Sequence, residues 1–171
     1  MKHREMRLYN VFFPFWMLMY WPQVWLLTLP LNLVVDWLVL RVTLHCLGAE
    51  DKHTQVRRSL LRLWVGGFAA DLLAAIPMAL VLVPSMMDTV FGAWWNAVMV
   101  YGVMHDPFSS PWSLLWVAGC VALGGALVYV LAVSWGLRKT TLTLRQRCWT
   151  ALVLAIVTAP WFFLVPMAWF Y

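Results

Sequence analysis

The sequence predicts an all-α, polytopic integral membrane protein: a compact bundle of about five transmembrane helices with one interfacial helix. Of the 171 residues, 64% are hydrophobic and only 11% are charged, whereas about a quarter of the residues of a typical soluble domain are charged. A soluble fold of this length has too little interior to bury so much apolar surface. The 13 tryptophans fit the same class, since indole rings favour membrane–water interfaces.

The basic residues predict how the chain lies in the membrane. Eleven of the 12 Lys and Arg residues fall within residues 1–8, 49–62 and 138–147, and Arg41 lies alone in an apolar stretch. Basic loops stay on the cytoplasmic side, so an even number of spans must separate these segments. This predicts a multi-pass protein of the cell membrane with a cytoplasmic N-terminus and an external C-terminus. In this the chain resembles small bacterial inner-membrane proteins, a resemblance that implies no chemistry.

Two spans are predicted between the first two basic segments, at about 9–29 and 31–48. The break is placed near Pro30 because proline disfavours a helical conformation in the residue before it. Two further prolines predict kinks or an irregular first half in the first of these spans. A re-entrant loop in place of that full span is the alternative.

The rest of the chain completes a single transmembrane domain over 1–171. Asp88 is suited to begin a helix as its N-cap, and this helix is placed flat in the outer interface or as a re-entrant segment, because a crossing would move the last basic loop outside. Ser110 followed by Pro111 predicts the start of another helix, and Thr143 is one of three threonines suited to cap the last one. The predicted elements are spans at about 60–83, 111–136 and 148–171 and the interfacial or re-entrant helix at about 88–102.

Asp71 is the most informative residue because it lies in the middle of an apolar stretch from Leu60 to Pro84. An ionisable group at the centre of a membrane helix costs roughly 2.5–3.5 kcal/mol. This carboxyl group is therefore expected to be paired, protonated or in contact with water. It lies on a strip of small residues with Gly67 and Ala75, and such strips let two helices approach closely. The sequence thus predicts that Asp71 faces a neighbouring helix.

The predicted second span supplies polar partners for Asp71. They are Asn32 at the outer mouth, Asp36 in the outer third, Arg41 near the middle and His45 near the inner end. Consecutive spans are expected to pack antiparallel, with Arg41 level with Asp71. One interpretation is a buried Asp71–Arg41 ion pair that fixes the register of two helices. The other is a polar route along which an ion, a proton or an anion moves.

An aromatic cluster is predicted in the outer half of the bundle. Its members are Trp21, Trp25, Trp94 and Trp95. One interpretation is an interfacial belt of the kind found in many membrane proteins. The alternative is an aromatic pocket for an organic cation or a lipid headgroup.

The predicted partners are the lipid bilayer and either further copies of this chain or a larger membrane protein. Ala118, Ala122 and Ala126 recur at four-residue spacing beside glycines, a pattern that favours close helix contacts within one chain or between chains. Nucleic acid is excluded as a partner because the basic residues flank apolar spans and belong to no soluble domain.

No sequence motif predicts an enzyme. There is no G-x-S-x-G, no H-E-x-x-H and no closely spaced cysteine pair, so we expect neither catalysis, nor a metal, nor a cofactor. The predicted function is a transporter-like or channel-like protein that moves an ion or small solute along intramembrane polar residues. The alternatives are a non-catalytic accessory or assembly subunit of a larger membrane partner, and a protein that binds lipid or an organic cation.

Overall fold

Every regular element in the computed structural model, which describes residues 22–166 with side chains from residue 29 onward, is helical. The helices are α1 (Pro22–Cys46), α2 (Lys52–Leu80), α3 (Val90–Met104), α4 (Pro111–Gly136) and α5 (Leu144–Val157). Within the described residues, four helices are long and apolar enough to cross a membrane. They are α1, α2, α4, and α5 together with the turn that follows it. Most of the predicted span 9–29 lies outside the described residues.

The α1 helix runs without interruption through Pro30, where the sequence predicted a boundary between two spans. Its 25 residues extend over about 37 Å, which is more than the roughly 30 Å hydrocarbon core of a bilayer. Proline removes only one backbone donor, and neighbouring elements can stabilise the affected turn. Beside the proline, the Trp64 indole on α2 donates a hydrogen bond to the Leu29 carbonyl at 3.0 Å and so ties this turn of α1 to α2.

A tight turn joins α1 to α2. Gly48 has a φ of 60°, the left-handed conformation with which many helices end and for which glycine is favoured. The Ala49 N–H donates to the Leu44 carbonyl at 3.1 Å, and α2 begins at Lys52. Because only residues 47–51 separate the two helices, α1 and α2 run antiparallel from a short hairpin.

The four long helices form a ring. α2 packs between α1 and α4, and α5 closes the ring by contacting both α4 and α1. Apolar side chains from all four helices meet in one core, including Leu40 of α1, Leu63 of α2, Val128 of α4 and Leu154 of α5.

Hydrogen bonds tie the two basic loops together at one end of this ring. The Gln55 side chain, only 2% exposed, donates to the Thr141 hydroxyl and accepts from the Thr141 backbone N–H. The Gln146 side chain donates to the Leu47 carbonyl at 3.4 Å. These buried contacts explain why α2 begins at Lys52, eight residues before the predicted span. They also place the basic segments 49–62 and 138–147 at the same end of the bundle.

The helix starts follow two of the three predicted caps. The Ser110 hydroxyl accepts from the backbone N–H of Trp112 at the start of α4, and Thr143 forms a capping box at the start of α5. Helix α3 begins two residues later than predicted, and its cap is Thr89, which accepts from the Gly92 N–H at 3.0 Å. Asp88 is exposed instead.

The end of the chain departs from the predicted continuous last span. The α-helical part of α5 ends at Val157, Pro160 follows, and a 3₁₀ turn covers Trp161–Leu164. Proline has no N–H to continue the helical ladder, so it ends the α-helix here where only a bend was predicted. Residues 167–171 of the predicted span lie outside the described part of the chain.

The small residues of α4 serve two different surfaces. Gly124 faces the interior, where a Cβ would lie 2.7 Å from ring atoms of Pro160 and 3.2 Å from Ala74. Gly125 lies against the Ala155 carbonyl of α5. The alanines of the predicted strip are exposed on the outer surface of α4; they are Ala118, Ala122 and Ala126.

Substitution of Gly124 by alanine is therefore expected to lower the free energy of unfolding by about 1–3 kcal/mol, because overfilling a packed core displaces its neighbours. Gly119→Ala is the matched control, since a Cβ at Gly119 meets nothing within 4 Å. This variant is expected to gain about 0.5–1 kcal/mol, because alanine favours a helix more than glycine does. Reversible unfolding in mixed micelles, followed by circular dichroism, measures both. Equal stability of the two variants would contradict this packing.

Candidate functional site

The α2 helix presents Asp71 to its neighbours, and among the described residues no group neutralises it. The Asp71 Oδ1 atom is buried and has no hydrogen-bond partner among the described residues. Buried oxygens of this kind are rare in native structures, and each calls for a physical or functional explanation. This carboxylate is therefore the starting point of the candidate site.

The predicted ion pair between Asp71 and Arg41 is not formed. Arg41 is exposed, and its guanidinium carbon lies 5.1 Å from the centroid of the Trp37 ring on the same helix. The short hairpin explains the separation. Arg41 is five residues from the end of α1 and Asp71 is nineteen residues from the start of α2, which separates them by roughly 20 Å along the helix axes.

Asp36 is the ionisable residue of α1 that lies nearest to Asp71 in depth. The two carboxylates interact electrostatically across the seam between α1 and α2, although nine residues, or about 13 Å, separate them along the helix axes. Their orientation favours this interaction, because side chains lean towards the N-terminus of their own helix, and in this antiparallel hairpin that tilts the two side chains towards each other. Asp36 is only 8% exposed, and no hydrogen bond or ion pair joins it to another residue within the described chain.

A small cavity adjoins Asp36 at the junction of α1, α2, α4 and α5. Its volume is about 10 Å³, which is close to the room that one water molecule requires. Its lining includes Arg62, Gly66 and Gly67 of α2 and Thr158 after α5. At Gly67, one of the lining residues, a Cβ would meet nothing within 4 Å, and Asp71 lies one turn further along α2.

Arg62 is the cation of this site that sequence reasoning missed. It is half-buried and lines the cavity together with Asp36. From the sequence Arg62 counts only as a member of a basic loop. Arg62 lies as many residues after the start of α2 as Asp36 lies before the end of α1. Knowledge of the short turn at residues 47–51 would therefore have placed the two residues at the same depth.

The other predicted polar residues lie away from this carboxylate pair. Asn32 is exposed although it lies one turn from the buried Asp36. His45 is exposed at the end of α1, where its Nδ1 atom lies 3.0 Å from Lys52 Nζ. The five predicted site residues thus divide into Asp36 and Asp71 at the seam between α1 and α2 and three that lie elsewhere. The three are Asn32, Arg41 and His45.

A second feature is an apolar groove of about 450 Å³ between α3, α4 and the end of α2. Trp94 and Trp95 of the predicted aromatic cluster line it with Met99 and Pro77. The α4 wall consists of Trp112, Leu115, Trp116, Gly119, Cys120 and Leu123. Trp21 and the side chain of Trp25 lie outside what the structure describes.

Comparison with known protein families, with curated proteins and with solved structures finds no match to this chain.

Proposed function

We propose that this chain is a multi-pass membrane protein that moves a proton or a small cation along the seam between α1 and α2. One observation supports this above all others: Asp36 and Asp71 lie along the same seam, one on each helix, without hydrogen bonds or ion pairs among the described residues. Ionisable residues within membrane spans are costly and mark ion and proton routes in pumps and transporters. A cation that moves along the seam supplies the missing partner to each carboxylate in turn.

The proposed membrane placement follows from the helices and the two basic loops. Four apolar helices of sufficient length surround one core, and the basic loops are hydrogen-bonded to each other at one end. With this end in the cytoplasm, both basic loops lie inside, as basic loops of membrane proteins do. Helix α5 then runs outward, and the C-terminal part of the chain is external.

The charges of the site favour a monovalent cation. With Asp36, Asp71 and Arg62 all ionised, the net charge around the seam is −1. One proton or one monovalent cation makes this group neutral, and a neutral group costs far less in an apolar medium than an unbalanced one. Arg62 also opposes a second cation. The proposed cycle therefore alternates between a loaded, neutral seam and an unloaded, negatively charged one.

The test is ion movement by the purified full-length protein in liposomes. A pH-sensitive dye inside the vesicles reports protons, and fluorescent indicators report Na⁺ and K⁺ in parallel assays. We expect one of these cations to move down its imposed gradient faster than in protein-free vesicles. Gly67→Leu, which fills the open space beside the cavity without changing any charge, is expected to slow this movement. No movement of any of the three cations would contradict the proposal.

A further inference from the structure

We propose that the groove between α3 and α4 binds one acyl chain of a membrane phospholipid, with the headgroup beside the start of α4. This inference depends on the membrane placement of the bundle but not on ion movement. The groove volume of about 450 Å³ lies within the range of about 300–1,000 Å³ typical of ligand pockets. Four of the ten lining residues are tryptophans and none is charged.

The shape of the groove matches a chain and not a compact ligand. Its α4 wall runs from Trp112 to Leu123, at spacings of three and four residues that keep its members on one helix face. This stripe is about 16 Å long. One leaflet contributes about 15 Å to the hydrocarbon core of a bilayer, so the groove has the length of a single leaflet.

The two ends of the groove differ in polarity. Trp95 and Trp116 already donate their indole N–H groups to the carbonyls of Val81 and Pro77, at 2.7 and 3.2 Å, so these indoles present only apolar surface. The indole N–H groups of Trp94 on α3 and of Trp112 at the start of α4 have no acceptor among the described residues. A buried or interfacial tryptophan usually finds one, and the ester carbonyl of a lipid offers it.

The inner part of the groove suits a hydrocarbon. Gly119 leaves open space, with nothing within 4 Å of a Cβ built there, and Cys120 and Leu123 continue the apolar lining towards the middle of α4. An organic cation would find aromatic faces here but no carboxylate among the described lining residues to balance its charge. The combination of a donor at one end and a leaflet-length apolar slot therefore identifies a phospholipid with one inserted chain.

Photocrosslinking in nanodiscs tests this inference. The discs contain phosphatidylcholine with a small fraction of an analogue whose acyl chain carries a diazirine, and mass spectrometry locates the crosslinks. We expect them to concentrate on the groove-facing residues of α3 and α4. Gly119→Phe fills the groove and is expected to reduce these crosslinks about tenfold, with a smaller loss for Gly119→Leu, since overfilling an apolar site costs affinity.

Ala118→Phe is the matched control, because Ala118 is exposed on the same helix but does not line the groove. Its crosslink pattern is expected to equal that of the wild type. Equal crosslinking in the Gly119 variants, or crosslinks spread evenly over all exposed helix faces, would overturn the inference. Displacement by a free fatty acid but not by unlabelled phospholipid would also overturn it, in favour of a fatty-acid site. Cation movement measured on the same variants separates this outcome from failure of the proposed transport function.

Discussion

Replacement of Asp71 by asparagine is expected to abolish cation movement while the fold is retained. Asparagine preserves the size of the side chain but neither carries a charge nor exchanges a proton. An isolated charge at this depth costs roughly 3 kcal/mol, and a cation that crosses without the carboxylate meets a barrier higher by a similar amount, which corresponds to about a hundredfold in rate. Dye-based measurement in liposomes would then give the same rate as protein-free vesicles. Asp36→Asn is also expected to lower the rate of cation movement.

The matched control is Asp88→Asn, which makes the same chemical change on an exposed residue ahead of α3. Its rate of cation movement is expected to equal that of the wild type. Arg41→Gln is also expected to leave the rate of cation movement unchanged, because Arg41 lies on the exposed face of α1. Full activity of Asp71→Asn would show that cation movement does not depend on this pair of carboxylates. Loss of activity in Asp88→Asn would indicate a non-specific effect.

Replacement of Asp71 by leucine is expected to raise the free energy of unfolding by about 1–3 kcal/mol. The wild-type carboxylate is buried without a partner in the described residues, and its replacement by an apolar group removes a desolvation cost. Titration with a denaturing detergent in mixed micelles, followed by circular dichroism, measures the change. Asp88→Leu, on the exposed residue, is expected to change stability by no more than about 0.5 kcal/mol.

The sign of this change separates two roles for Asp71. If the carboxylate held helices together through an ion pair, its removal would leave a buried cation and would destabilise the fold by about 3–5 kcal/mol. A residue retained for ion movement behaves in the opposite way: its loss increases stability and removes activity. A large destabilisation would therefore contradict the proposed role even if cation movement were also lost.

The sequence predicted the helical class and most helix starts because these depend on local chemistry. The Ser110–Pro111 start and the threonine cap of α5 are short-range signals, and the predicted span 111–136 coincides with α4. The α1–α2 boundary is different. The sequence predicts a break at Pro30, yet a proline within a long apolar helix is tolerated when a neighbouring helix holds that turn in place, and here the Trp64 indole of α2 binds the adjacent Leu29 carbonyl.

The same boundary decided which polar residues meet. A helix that begins near residue 60 would place Arg41 and Asp71 at the same depth. The buried Gln55 instead extends α2 back to Lys52. That shift brings Asp36 and Arg62 to the same depth. Partners across a hairpin depend on the length of its turn, and the contact that sets this turn joins residues 86 positions apart. No local pattern reports such a contact.

Infrared difference spectroscopy of the protein in lipid bilayers tests the central claim most directly. It records the carboxyl and carboxylate bands as the proton or cation concentration is changed. The account predicts a reversible change in these bands in the wild type and in Asp88→Asn. In Asp71→Asn the change should be lost or reduced to the contribution of Asp36. An identical signal in Asp71→Asn and the wild type would show that this carboxylate binds no proton or cation.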